Sequence, residues 1–168
     1  MPDPRSSPLV LGIDPGTATT GYGIVTERNG GLVAVDYGVI TTPAGQPDAE
    51  RLLTIHTTLT DLIASYQPTA AAVEKLFFQK NVSTAMTVSQ ARGVILLALA
   101  QAGLTPGEYT PNEVKQAVVG YGSADKPQMQ HMIRLLLGLT DIPHPDDAAD
   151  ALAIAIAHLH TTQVQRLT

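Results

Sequence analysis

The chain contains no cysteine among its 168 residues. Disulfide bonds and thiolate metal ligands are therefore excluded. The start, MPDPRSSP, is broken by proline and lacks the apolar stretch of a signal peptide. The longest apolar runs, such as residues 94–100, are too short to span a bilayer. We therefore expect a soluble, cytoplasmic protein with no membrane partner.

Positive charge is also scarce, since 10 Lys and Arg residues stand against 15 Asp and Glu residues, for a net charge of −5. On its face this balance argues against a nucleic-acid partner. Four of the acids are candidate site residues, and without them the balance is 10 − 11 = −1. Between residues 75 and 134, six Lys or Arg residues accompany three acids. A basic middle part of the chain that surrounds an acidic site with bound metal ions can still bind phosphate. The composition therefore permits a nucleic-acid partner.

Apolar periodicity predicts one mixed α/β domain over residues 9–160, with residues 1–8 as a disordered extension and residues 161–168 as a polar tail. Three antiparallel strands open it, because Asn29-Gly30-Gly31 is a strong hairpin signal. The predicted strands are residues 9–14, 21–27, 32–41, 70–74 and, more weakly, 108–110. The predicted helices are residues 52–66 (after a start near Asp48), 82–102, 113–119, 127–137 and 146–160.

Two acids, Asp14 and Glu74, each finish an otherwise apolar strand. Parallel neighbours in a central sheet would place both at the edge where open α/β sheets carry their sites. A carboxylate that ends a run such as AAAVE is costly to bury unless a cation or a metal accompanies it. Asp14 before Pro-Gly could instead be an ordinary turn residue.

Two more acids, Asp147 and Asp150, are spaced i, i+3 at the start of the last helix and share one face. An Asp in a first helical turn commonly caps the helix or interacts with its dipole, which is the interpretation we favour for Asp146. The convergence of several acids on one sheet edge and one helix end nevertheless resembles the oxygen-rich cage of hard divalent cations. Two such cations, ~3.5–4 Å apart, suit phosphodiester hydrolysis. No Ser–His or Cys–His pairing competes.

Four stretches carry a family likeness: LGIDPGTATTGYGI, VEKLFFQKNVSTAMTVSQARGV, PNEVKQAVVGYGSADKPQMQHM and DDAADALAIAIAH. In these stretches the chain resembles the RuvC crossover-junction endonucleases across about residues 9–160. The resemblance implies an RNase H-like fold, in which three antiparallel N-terminal strands and then parallel strands form a mixed sheet flanked by helices. It also implies a homodimer that resolves Holliday junctions in recombination and repair by symmetric nicking of two strands. Two Mg²⁺ or Mn²⁺ ions per active site and a RuvA–RuvB branch-migration partner complete the expectation.

The resemblance assigns roles to individual residues. The family's four acidic metal ligands fall on Asp14, Glu74, Asp147 and Asp150, and relatives differ most at the position of Asp147. Its basic residues that contact DNA fall on Lys115 and Lys126, of which Lys126 is also expected to assist catalysis near the scissile phosphate. The aromatic residue that stacks on a base near the crossover falls on Phe77. Relatives also prefer to cut at a short, thymine-rich sequence.

Other interpretations remain open at this point. Phe77 and Phe78 lie in a loop between Lys75 and Lys80, a pattern typical of base stacking, but a loop aromatic can also fold back onto the core. The apolar residues of the helix over 82–102 can serve the core or a dimer contact. The glycine-containing GIDPGTATTGYGI unit also occurs in actin-like ATPases and sugar kinases. A junction-binding module without catalysis is the third alternative.

Overall fold

A computed structural model describes residues 6–75 and 82–168. Five strands form one sheet in the order β3-β2-β1-β4-β5. The strands are β1 (Val10–Asp14), β2 (Thr19–Arg28), β3 (Gly31–Thr41), β4 (Ala70–Glu74) and β5 (Gly107–Tyr109). The helices are α1 (Asp48–Tyr66), α2 (Val82–Gln101), α3 (Pro111–Val119), α4 (Lys126–Leu136) and α5 (Asp146–Leu167).

The sheet is mixed, as the sequence predicted. Strands β1, β2 and β3 are antiparallel, whereas β4 and β5 run parallel to β1. The expected fold is therefore confirmed. One difference is that α5 continues to Leu167 rather than ending near residue 160.

Helices cover both faces of the sheet and form two cores. On one face α1 and α2 pack over Leu11 and Ile13 of β1. On the other face α5, with α3 and α4 beside it, packs over Val10. Residues 151–157 of α5 are at most 2% exposed, so this helix is enclosed all round. Its tight packing fixes the position of its first turn.

Helix α2 is, among the described helices, the one whose length and composition would allow it to cross a membrane. Its apolar residues do not form one unbroken run, because polar residues such as Gln90 and Arg92 interrupt them. Ala91, Ile95 and Leu99 of this helix are fully buried in the core against α1. Packing in the core thus accounts for the apolar residues on this face of α2.

Candidate metal centre and active site

The ends of β1 and β4 bring Asp14 and Glu74 to one edge of the sheet. The two strands pair in parallel, with Ile13 opposite Val73, so the acids that follow are neighbours. Side chains alternate between the two faces of a strand. Because Ile13 and Val73 both belong to the core beneath α1 and α2, Asp14 and Glu74 must face α5. The position predicted for these two acids is confirmed.

Glycines let α5 lie directly on the sheet at this edge. A Cβ atom added to Gly21 would overlap the carbonyl oxygen of Asp147, and one added to Gly12 would overlap that of Ala151. At Gly23 it would come within 2.8 Å of the Leu152 backbone nitrogen. Side chains at these positions would lift the helix off the strands. The glycines of β1 and β2 therefore set the distance between the first turn of α5 and Asp14.

The acids of α5 meet those of the strands. One carboxylate oxygen from each of Asp14, Asp147 and Asp150 lies within 4.8 Å of the other two. Glu74 joins the group through a hydrogen bond with the carboxyl group of Asp14. Asp14, Glu74 and Asp147 are half-buried and Asp150 is exposed, so the cluster opens to solvent on one side. These four oxygen donors suit a hard divalent cation.

The carboxylates of this cluster are electrostatically strained when no cation is bound. Burial, followed by the negative charges of Glu74, Asp150 and Asp147, raises the pKa of Asp14 from its usual 3.8 to about 9. The pKa values of Glu74 and Asp150 are also raised, in both cases chiefly by loss of hydration. A protonated Asp14 donates its hydrogen bond to Glu74, which opposes the rise at Glu74. Bound cations would remove this repulsion.

A cleft of about 300 Å³ adjoins the cluster and carries both predicted DNA-contacting lysines. Lys115 of α3 and Lys126 of α4 line it together with Glu74 and Asp150. Lys126 is the first residue of α4, and the Asp125 capping box fixes the start of that helix. The lysines predicted from the resemblance thus lie beside the predicted metal ligands.

Lys126 has a partner that is distant in the sequence. Its ammonium group forms an ion pair with Asp146, which also accepts a hydrogen bond from Nε2 of Gln130 at 3.2 Å. Asp146 does not cap α5, because the N-cap position belongs to Pro145. It lies in the first turn, as expected for a residue that interacts with the helix dipole, but its carboxylate orients Lys126. The pair is separated by 20 residues, so no local pattern indicates it.

Arg92 of α2 also has protein partners at this edge of the sheet. Its Nε donates to the backbone carbonyl of Glu74 at 3.5 Å, and its guanidinium forms an ion pair with Glu108. This residue therefore braces the end of β4. Phe77, the predicted base-stacking residue, and Phe78 lie outside the described residues.

Comparison with known proteins identifies the family. The model of the family described as "Crossover junction endodeoxyribonuclease RuvC" matches residues 10–158. The chain belongs to this family. A RuvC crossover junction endodeoxyribonuclease of Chloroflexus aurantiacus is 64% identical over 151 residues, which cover 90% of this chain and 92% of the relative. That of Heliobacterium modesticaldum is 58% identical over 153 residues, 91% of this chain and 94% of the relative.

Solved structures agree with this RuvC assignment. Thermus thermophilus RuvC in complex with a Holliday junction substrate matches with a TM-score of 0.90 at 35% identity, over 94% of this chain and 96% of that one. The yeast mitochondrial Holliday junction resolvase Ydc2 matches with a TM-score of 0.69 at 13% identity, over 96% of this chain and 82% of that one. The second likeness supports the fold alone.

Proposed function

We propose that this chain resolves four-way DNA junctions by metal-dependent hydrolysis of one phosphodiester bond in each of two strands. The observation that carries the proposal is the convergence of four acids on one sheet edge, in a chain that belongs to the RuvC family. Asp14 contacts Glu74 and lies within reach of both Asp147 and Asp150, so we assign it as the central ligand. Glu74, Asp147 and Asp150 complete the two metal shells.

The chain's own groups bind and orient the substrate. Mg²⁺ or Mn²⁺, two per site, would activate the attacking water and stabilise the leaving oxygen. Lys115 and Lys126 line the adjoining cleft and would hold phosphates on one side of the scissile bond. Asp146 keeps Lys126 pointed at the cluster until DNA competes for its ammonium group. Phe77 remains the proposed base-stacking residue, on the strength of the sequence alone.

We propose that the active form is a homodimer that uses the outer face of α2. Val82, Met86 and Leu97 are 72%, 61% and 52% exposed. With the exposed Gly93 between Met86 and Leu97, successive residues of this set are 4, 7 and 4 positions apart. They therefore lie along one stripe of the helix. Ile95 and Leu99 instead lie in the core. One face of α2 thus serves the core, and the opposite face is available for the proposed dimer contact. A two-fold dimer would present two equivalent sites to a two-fold junction.

The family resemblance also supports a cytoplasmic location and cooperation with a RuvA–RuvB branch-migration complex. Adding that complex to a resolution reaction should change the rate or the position of cutting by this protein. If cutting is the same with and without it, this part of the proposal fails.

Strand-by-strand mapping of cuts on a synthetic mobile junction, with Mg²⁺ and Mn²⁺ compared, tests the main proposal. We expect paired, symmetric nicks in two strands, and loss of both when Asp14→Asn replaces the wild type. Junction binding by that variant should remain. Asp61→Asn, which makes the same chemical change at an exposed position of α1, is the matched control and should cut normally.

The same experiment separates the alternatives. An actin-like ATPase would hydrolyse nucleotide and leave the junction intact. A binding module would shift the mobility of the junction without nicking it. Cutting by Asp14→Asn at the wild-type rate would refute the role given to that residue.

A further inference from the structure

A second cleft lies at the same edge of the sheet but on its other face, between the loop after β1 and the helices α1 and α2. Its volume is about 430 Å³. Its wall contains one charged side chain, that of Arg51, and several threonines. The threonines are Thr17 and Thr19 of the loop and strand after β1 and Thr84 and Thr87 of α2.

Arg51 is held at the wall by a chain of hydrogen bonds. Its Nε donates to the hydroxyl of Thr42 at 2.8 Å, and that hydroxyl donates to the backbone carbonyl of Thr17 at 2.6 Å. The hydroxyl of Thr17 donates in turn to the carbonyl of Thr87 on α2 at 3.0 Å. Thr17 and Thr42 are each only 6% exposed, so the chain is shielded from water. The guanidinium of Arg51 is therefore held in place through its Nε atom.

The charge of Arg51 is not neutralised within the part of the chain that the structure describes. Arg51 is half-buried, yet no carboxylate of residues 6–75 or 82–168 forms an ion pair with it. Of the other cations near this edge, Arg92 and Lys126 are matched to Glu108 and Asp146, whereas Lys115 forms no ion pair with a described residue. A guanidinium offers a rigid fork of donors that matches the oxygens of a phosphate.

The cleft is close to the carboxylates. Thr17 follows Asp14 by three residues, which span at most about 10 Å of chain. Phosphates of one strand recur about every 3.4 Å along the axis of a duplex, so about 10 Å measured along that axis spans about three nucleotides at most. A DNA strand that crosses the carboxylate edge from the Lys115 and Lys126 cleft would reach the Arg51 cleft on the other face.

We propose that the Arg51 cleft binds a backbone phosphate of the junction, within about three nucleotides of the scissile bond. Together with the lysine cleft it would grip the strand on both sides of the metal cluster. This inference rests on the proposed function, because it names a further contact of the same substrate.

Junction binding measured by fluorescence anisotropy in EDTA, where no cutting occurs, tests the proposal through its salt dependence. The logarithm of affinity falls with the logarithm of salt concentration by about 0.9 per neutralised phosphate. We expect Arg51→Gln to reduce the magnitude of this slope by about 0.9. Arg28→Gln, the same change at the exposed end of β2, should keep the wild-type slope. Arg28 is seven residues along the strand from Gly21, or about 23 Å from the carboxylate edge.

A second variant covers the case in which Arg51→Gln fails to fold for want of its bond to Thr42. Thr84→Glu leaves that bond intact and adds a negative charge to the wall of the cleft. Thr84 is exposed in the first turn of α2, where a carboxylate favours the helix. Thr84→Glu should weaken junction binding more than Thr60→Glu, a charge-matched control at an exposed position of α1.

A folded Arg51→Gln protein with the wild-type slope would overturn the proposal, even if its melting temperature falls. Equal binding by the two Glu variants would also overturn it. Wild-type cutting, measured alongside, separates the two levels of inference. If the wild type neither binds nor cuts the junction, the proposed function fails, whereas normal wild-type cutting with unchanged slopes refutes the Arg51 cleft alone.

Discussion

Replacing the Asp14 carboxyl by a neutral amide should stabilise the metal-free protein, because without cations the folded chain must either protonate this carboxyl or bury its charge beside other acids. The pKa of Asp14 rises from 3.8 to about 9 on folding. At pH 7 the unfolded chain has released this proton and the folded chain has kept it. Holding this proton at pH 7, about 3 pH units above the unfolded pKa of 3.8, costs at most about 4 kcal/mol at 1.4 kcal/mol per unit.

We expect Asp14→Asn to recover about 1–3 kcal/mol of this cost in EDTA, because the asparagine amide must still find partners in the pocket. For a chain of this length that gain raises the melting temperature by about 2–10 °C. Mg²⁺ or Mn²⁺ should stabilise the wild type and have little effect on the variant, since binding to the folded state alone is stabilising.

The sign of the pH dependence follows from the raised pKa. Between the unfolded and folded pKa values the folded state holds the extra proton, so the wild type loses stability as pH rises. Thermal melts of the wild type and Asp14→Asn in EDTA from pH 6.5 to 8.5 should therefore show that the stability of the variant exceeds that of the wild type by a growing amount. This difference in unfolding free energy should grow by up to about 1.4 kcal/mol per pH unit. Burial lowers the pKa of His158 from 6.5, so the titration of this residue in the folded protein lies below this pH range. A variant less stable than the wild type, or a gap that narrows with pH, would refute the reasoning.

Three further predictions concern the surroundings of the cluster. Gly21→Ala should push the first turn of α5 away and reduce cutting by about 100-fold, the typical effect of a misplacement of about 1 Å. Gly31→Ala is the control and should cut normally, because its added Cβ meets only a carbonyl oxygen at 3.9 Å. Lys126→Ala should weaken junction binding in EDTA, and Asp146→Asn should strengthen it by removing the competing carboxylate; weakening by Asp146→Asn would contradict the proposed competition between Asp146 and DNA for Lys126. Phe77→Ala should reduce cutting more than binding, and an unchanged cutting rate would return Phe77 to the core interpretation.

The sequence predicted the site wherever local geometry decides it. Strand alternation and the parallel pairing of β1 with β4 place Asp14 beside Glu74, and both features could be read from short apolar runs that end in an acid. The i, i+3 spacing placed Asp147 and Asp150 on one face of α5 in the same way. The role of each residue in catalysis came from the family resemblance rather than from spacing.

Features that depend on which elements pack together could not be predicted. Gly12 and Gly21 are visible in the sequence, but their purpose is clear only when α5 is seen to lie on them. The pairing of Lys126 with Asp146 joins the starts of two helices. The position of Arg51 depends on a hydrogen bond to Thr42, nine residues away in the loop that follows β3. Such contacts are set by tertiary packing, which no local periodicity encodes.

The central claim is that the acids of β1, β4 and α5 hold divalent cations together. An anomalous scattering map from a crystal grown with Mn²⁺ tests it most directly. The account predicts a peak in contact with the carboxylates of Asp14, Asp147 and Asp150, and a second one shared by Asp14 and Glu74. A protein that cuts junctions with Mn²⁺ but shows no peak at this edge of the sheet would contradict it.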